Sequence, residues 1–366
     1  MELFLCAPPM PLLEIQEELT MTNKFFIYPI LIVLFISLGI SSCTKENKKE
    51  TSESYSIAVF IPGVIAGSPT YEMMAKGAQK AIEETKNGSV KIIEGGFNQG
   101  EWLEKITVLA SSKKYDLIVS TNPAMPAICN EVSKLFPNQK FFLLDGFLEG
   151  NQNIYTFRYN QVEQSFLSGY FAGLITSSKM EGANSDLKIG LIAGQEYPDM
   201  VKAILPGFSA GAKKVNNQIT VDFRVVGNWY DAEKARSLSE SMFNSGVDII
   251  LTIAGGANQG VITAAKDMGK YILMYDVSSY DDAPGIIIGS TEIKQERAAY
   301  EKIKLAINGE MQFGTAEIAT VKDGWISFDN MHPLYLKNVT RDIQVKLDAI
   351  IKKLISGDTS LNLPVF

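Results

Sequence analysis

"VDIILTIAGGANQGVITAAKDMGKYILMYDV", residues 247–277, decides the fold. Val247 to Gly255 open with a nearly unbroken apolar, β-branched run, the composition of a strand buried on both faces. A helix is expected over Gly260 to Met268, and "YILMYDV" (271–277) reads as a second strand. Two strands joined through a helix cannot form a hairpin. The helix crosses over the sheet and the strands run parallel.

The same alternation extends in both directions. Toward the N-terminus stand "SIAVFI" (56–61), "VKIIEG" (90–95), "YDLIVST" (115–121) and "FFLLDG" (141–146), with helices expected from Ser68-Pro69, over 101–112 and over Met125 to Leu135. Ser68 suits a helix N-cap and Pro69 the first helical residue. A helix over Gln161 to Thr176 is followed by a second series: "LKIGLIAG" (187–194), a helix near Met200 to Lys214, "TVDFRVV" (220–226) and a helix over Ala232 to Asn244. "GIIIGSTEIK" (285–294) and "AEIATVKDGWISF" (316–328) read as strands returning to each lobe in turn. The expected fold class is therefore α/β, with two lobes, each a parallel sheet flanked by helices. Residues 56–157 plus 285–315 are expected in the N-terminal lobe, and 158–284 plus 316–366 in the C-terminal lobe. Hinges are expected near 155–160, 278–284 and 312–316.

Composition narrows the chemistry. The net charge is −7 with no basic stripe, which disfavours nucleic acid as a partner. One histidine, His332, stands beside a proline, and Cys6, Cys43 and Cys129 are scattered. Metal sites, cysteine–histidine pairs and serine–histidine hydrolysis lack their usual parts, so neither a catalytic residue nor a metal ligand is expected. Cys129, on an expected helix with apolar neighbours, reads as a small buried hydrophobe.

The N-terminal stretch addresses the chain. Residues 21–42, "MTNKFFIYPILIVLFISLGISS", place Lys24 before an apolar run that ends in small residues at Cys43. This is the layout of a secretory signal, and its "ISSC" ending resembles a bacterial lipobox, so Cys43 is the expected lipidation site. Residues 1–20 carry four acids and no base, which is wrong for a signal start and marks them as an upstream extension. Residues 43–55 are polar and charged, a tether. The expected location is the membrane surface, lipid-anchored, facing the periplasm or exterior.

In open parallel sheets, ligands gather at the carboxyl ends of the strands. Here those ends fall at 62–68, 121–123, Asp145, 194–197, 227–231, 254–258 and 276–280. The last three combine aromatic rings, small turns and isolated acids with few cations. Such a set suits a neutral heterocycle carrying hydroxyls: rings stack on its faces and carboxylates accept its hydroxyl protons.

"FPNQKFFLLD" (136–145), "QVEQSFLSGYFAG" (161–173), "NWYDAEKA" (228–235), "SGVDIILTIAGGANQGV" (245–261) and "MYDVSSY" (274–280) resemble the basic membrane protein family of bacterial lipoproteins. That resemblance covers nearly all of the mature chain. It implies a type I periplasmic-binding-protein fold and a substrate-binding receptor that serves an ABC importer, with permease and ATPase subunits as partners. In the branch that binds purine nucleosides, an aromatic at the Trp229 position stacks on the base and the Asp276 position binds ribose hydroxyls. Glycines at the Gly255 and Gly256 positions approach through backbone, and the Lys294 position reaches the sugar. The acidic loop of that branch is replaced here by "IAGSPTYEM" (65–73). "PGVIAGSPTYE" looks instead like the riboflavin-binding branch, which implies riboflavin as transported ligand rather than as cofactor, with a purine nucleoside as the alternative. A surface adhesin or antigen that kept the fold and lost the pocket is the rival from another class.

The remaining candidates each carry two readings. Tyr71 is a ligand contact or part of a helix's buried face. Trp229 is the stacking platform, a role open also to Tyr230, while Asp231 next to it suits a helix cap. Asn122 contacts ligand or caps the helix after Pro123, and Lys294 reaches ligand or pairs with Glu292 or Glu296. Asn258 and Tyr280 complete the set of candidates.

Overall fold

The computed structural model describes residues 54–86 and 88–358. The upstream extension, the signal segment, Cys43 and nearly all of the tether lie outside the described residues.

The first lobe begins with β1 (Tyr55–Ile61), α1 (Pro69–Thr85), β2 (Gly88–Glu94), α2 (Trp102–Ser111), β3 (Leu117–Thr121), α3 (Met125–Leu135), β4 (Lys140–Leu144) and β5 (Ile154–Tyr159). The second follows with α4 (Gln161–Thr176), β6 (Lys188–Ala193), α5 (Leu205–Val215), β7 (Thr220–Val225), α6 (Ala232–Asn244), β8 (Val247–Ile253), α7 (Asn258–Met268), β9 (Tyr271–Met274) and β10 (Ile287–Ile293). The chain then returns through α8 (Gln295–Ile307) and β11 (Ala316–Ala319), and crosses once more to β12 (Ile326–Phe328), α9 (Pro333–Asn338) and α10 (Arg341–Ser356). Among the described residues these strands form two six-stranded sheets, ordered β11-β5-β4-β3-β1-β2 and β12-β10-β9-β8-β6-β7. All neighbours are parallel except β10 and β12.

Burial on both faces explains the continuous apolar runs. Along β1, Ile57, Val59 and Ile61 pack with Met74 and Ala78 of α1. Ala58 and Phe60, pointing the other way as strand alternation requires, pack with Trp102 of α2 and Met125 and Cys129 of α3. Each fully buried large apolar side chain contributes about 1.5–3 kcal/mol. Burial also pushes the Cys129 thiol well above its ordinary range, consistent with its packing role.

Two expectations about the crossovers are corrected. The segment 285–293 belongs to the second lobe, because β10 pairs with β9, and β11 belongs to the first, because it pairs with β5. Residues 316–328 are not one strand: a turn at Lys322-Asp323-Gly324, with Gly324 left-handed, sends the chain between sheets. The crossovers therefore lie at 159–161, 293–295 and 319–326, while 278–284 and 312–316 sit inside single lobes. The three run side by side, with Asn160 N–H donating to Ala319 O at 2.8 Å and Lys294 N–H to Trp325 O at 3.0 Å.

The helix after the first crossover is held tightly. A Cβ on Gly169 of α4 would lie 1.9 Å from Phe208 O, and one on Gly211 of α5 2.1 Å from Phe166 O. Only glycine permits so close a crossing, which fixes α4, and the residues at its N-terminus, in the second lobe.

Candidate functional site

The carboxyl ends of β3, β4 and β9 share an unusual feature. Asn122, Asp145 and Asp276, each just beyond its strand, have positive φ of 126°, 52° and 70°. Non-glycine residues adopt such conformations rarely, and the surroundings must hold them there. Asp145 and Asp276 come from opposite lobes, and the charge of Asp276 acts on Asp145 across the cleft between them.

Both acids are tied to one helix. Gln161 Nε2 donates to Asp145 Oδ1 and Gln164 Nε2 to Asp276 Oδ1, each at 2.9 Å. Residues three apart share a helix face, so α4 offers one amide to each lobe's carboxyl. Burial, then the charges of Asp276 and Asp199, push the Asp145 carboxyl up to about 8, against the opposing pull of Gln161 and Arg158. Burial raises Asp276 to about 6, moderated by its bond from Gln164. Arg158 Nη2 meets Asp199 Oδ1 at 2.8 Å, joining the first lobe to the second.

Aromatic groups form the walls. The indole of Trp229, partly buried, lies on Gly194, where a Cβ would come within 2.4 Å of the ring, and its centroid is 6.2 Å from that of Tyr197. Tyr71 donates its hydroxyl to Pro62 O at 3.1 Å, and burial pushes its phenol up to about 12 despite a bond with Asn122. At the lip, Phe97 of the first lobe and Tyr230 of the second approach to 6.0 Å between centroids. Tyr230 is 66% exposed, so it stands at the mouth of the cleft while Trp229 stands inside.

The other expected residues are engaged by the protein itself. Asn122 Oδ1 accepts from Ala124 N–H at 2.9 Å, a turn ahead of α3 rather than the expected cap, since Ala124 is the capping position and no side chain caps that helix; Asn122 also bonds Tyr71. Asn258 Oδ1 accepts from Thr252 Oγ1 and Ala254 N–H, shaping the turn that carries Gly255 and Gly256. Those glycines back onto Trp229: a Cβ would lie 3.1 Å from Trp229 O at Gly255 and 3.4 Å at Gly256. Asp231 caps α6 through Lys234 N–H. Lys294 pairs with Glu292 at 2.9 Å and lines a surface groove between α1 and α8 with Lys80 and Tyr300. Tyr280 departs furthest from the expectation of a ligand contact. It is 1% exposed, donates to Asp329 O at 2.8 Å and stacks on His332, so it is spent on the core.

Several cleft residues carry no mark in the sequence. Asp145 and Tyr197 stand at expected strand ends, but no spacing singles them out. Gln161 and Gln164 do leave a trace, as two amides three residues apart in a helix, "QVEQSFLSGYFAG", whose other side chains, Glu163 apart, are apolar, aromatic or small. Among the described residues no cluster of His, Cys, Asp and Glu is arranged to hold a metal, and no helix is long and apolar enough to cross a membrane.

Known proteins resemble this chain in sequence and in fold. The chain is 26% identical over 261 residues to a CD4+ T-cell-stimulating antigen of Listeria monocytogenes serovar 1/2a, covering 67% of this chain and 69% of that one. It is 27% identical over 161 residues to the ABC transporter nucleoside-binding protein BmpA of Lactococcus lactis subsp. cremoris, covering 44% and 43%. Its fold matches the crystal structure of an ABC transporter solute-binding protein from Aeropyrum pernix K1 with a TM-score of 0.74 at 20% identity, over 83% and 92% of the chains. That likeness bears out the two-lobed type I periplasmic-binding-protein fold. The family model of the PnrA-like ABC transporter substrate-binding proteins matches residues 54–360, and the chain belongs to that family of non-enzymatic receptors.

Proposed function

We propose that this receptor binds riboflavin between its lobes and delivers it to an ABC permease, held at the membrane by a lipid on Cys43. The observation that carries the ligand reading is the contrast between the two walls of the cleft. The loop from Pro62 to Ser68 brings no charged side chain to it, whereas the opposite wall brings Trp229 laid on Gly194, with Tyr197 beside it. A broad neutral ring fits between such walls, and Asp276 accepts hydroxyl protons from a polyol at its edge. The lobes close because only the closed form surrounds the ligand. The anchor reading rests on the signal layout before Cys43.

A purine nucleoside is the second reading, favoured by the Lactococcus relative whose name records nucleoside binding. Protein purified without refolding decides between them. Riboflavin is expected to co-purify, identified by mass spectrometry of the released ligand, and added riboflavin is expected to lose its fluorescence on stacking. Tight guanosine binding without any response to riboflavin would transfer the assignment to nucleosides.

A further inference from the structure

We propose that the free edge of the second lobe's sheet is a self-recognition surface, on which β7 pairs antiparallel with β7 of a second copy of this chain, across a two-fold axis at Phe223.

The edge is open. β7 ends its sheet and pairs only with β6, in unbroken parallel register from Lys188 opposite Thr220 to Ala193 opposite Val225. Thr220 N–H donates to Leu187 O at 3.0 Å and Val226 N–H to Ala193 O at 2.9 Å, so the even-numbered residues face β6. Strand alternation then turns the N–H and C=O groups of Val221, Phe223 and Val225 outward. Among the described residues no backbone group bonds to them from that side. Proteins ordinarily blunt such an edge with proline, lysine or a bulge. The strand "TVDFRV" has none of these.

The order of its side chains selects one register. The only charges in β7 are Asp222 and Arg224, one on each side of Phe223. Antiparallel pairing centred on Phe223 sets Asp222 of each copy opposite Arg224 of the other, and Val221 opposite Val225. Opposite charges directly across a strand pair attract, and like charges repel. Centring on Asp222 or Arg224 instead opposes like charges, and centring on Val221 or Val225 leaves both charges facing neutral residues. The backbone agrees with this choice. Only with Phe223 on the axis do all three outward residues of each copy meet outward residues of the other. The charged residues then fall at the closer, non-hydrogen-bonded positions.

The side chains are able to complete the contact. Arg224 Nε and Nη2 donate to Asp222 Oδ1 and Oδ2 at 3.1 and 2.9 Å, and the two side chains remain 26% and 22% exposed. Nη1 takes no part in that pair, so Arg224 keeps donors for a second carboxylate. Four charges of alternating sign close a ring across the axis. On the α5 side, a groove of about 570 Å³ lined by Leu205, Ser209, Lys213 and Val221 leaves room for the side chains of the second strand.

The first lobe's edge strand β2 lacks this self-complementarity. Gly95 N–H donates to Ile61 O, so Val90 and Ile92 face outward. Pairing β2 with itself about either residue sets Lys91 opposite Ser89 or Ile93, never opposite an acid. The contact therefore belongs to the second lobe, and as an isologous pair it closes at two copies.

Sedimentation velocity of the purified protein from about 1 μM to about 1 mM tests the proposal over the range of small, transient interfaces. Wild type is expected to form a concentration-dependent dimer. Asp222→Arg and Arg224→Asp each put like charges opposite in a homodimer, and each is expected to weaken it by about tenfold or more. Mixed in equal amounts, one chain brings two arginines and the other two aspartates, and dimerisation is expected to return. The double variant Asp222→Arg, Arg224→Asp keeps both opposite pairs and is expected to dimerise like wild type. A wild type that stays monomeric, single variants that dimerise as well as wild type, or a mixture no tighter than its components would overturn the proposal. If a single variant does not fold, the double variant decides: wild-type dimerisation supports the proposal, and a folded monomer refutes it.

Discussion

Gly194→Ala tests the aromatic wall without touching a ligand-binding side chain. The added Cβ would lie 2.4, 2.8 and 2.9 Å from three carbons of the Trp229 indole. Apolar carbons rest about 3.5–4.0 Å apart, so the ring must retreat by roughly 1 Å or more. Its backbone cannot follow freely, because Trp229 O accepts from Ala257 N–H at 3.2 Å and the loop at Gly255 lies behind it. The ring tilts instead, and a gap of about 0.5–1 Å forfeits a quarter to a half of each contact's attraction. Stacking of a ring on an aromatic side chain is worth about 1–3 kcal/mol. The expected loss is therefore about 0.5–1.5 kcal/mol, or roughly three- to tenfold in affinity. The fold should tolerate the change, since the φ of Gly194 is not in the left-handed region and its N–H bond to Ile253 O is unaffected. Fluorescence titration with riboflavin, beside a thermal melt, reads both quantities. In a Trp229→Ala background the same substitution should be neutral within about 0.5 kcal/mol, because nothing remains to displace. Wild-type affinity in Gly194→Ala, or an equal loss in both backgrounds, would refute the platform role of Trp229.

Asp276→Ala should weaken a polyol-bearing ligand by about 1.5–3 kcal/mol, ten- to hundredfold, while the melting temperature changes little; undiminished affinity in the folded variant would assign Asp276 to the fold alone. Arg158→Gln removes the partly buried ion pair that joins the lobes. At about 1 kcal/mol for such a pair, ligand affinity should fall several-fold and small-angle scattering of the ligand-free protein should show a larger radius. Equal radius and affinity would separate the pair from closure.

The sheets were legible because their strands are buried on both faces. Runs such as "VDIILTI" and "FFLL" have no amphipathic alternative, and they became β8 and β4. The failures came where pattern gives out. "IYTFRY" (154–159) has strand composition but stands next to the first crossover, and its pairing with β4 and β11 is a tertiary fact. The lobe membership of β10 and β11 was inverted for the same reason. Both are short apolar strands able to pair with either sheet, and only register with β9 and β5 decides between them. "AEIATVKDGWISF" held a visible turn in Lys-Asp-Gly, but not the change of sheet that the turn performs.

The site was legible in proportion to how local its construction is. Asp231 caps a helix three residues away, and residue type and position alone suffice to place it. Trp229 stands out because a tryptophan beyond a strand end is rare enough to need a reason. Asp145 and Asp276 are different: their chemistry is set by each other, across two lobes, and by a helix that belongs to neither strand. Gln164 reaches Asp276 over 112 residues of sequence, and Arg158 reaches Asp199 over 41. A carboxyl's charge state depends on burial and on neighbours of like sign, and both arise only when the crossovers bring the strand ends face to face. Tyr280 makes the converse point. It follows a strand end within four residues of Asp276, yet its hydroxyl is claimed by Asp329 from beyond β12. Position at a strand end therefore nominates a residue for the cleft, and the long-range partner decides whether it serves the ligand or the core.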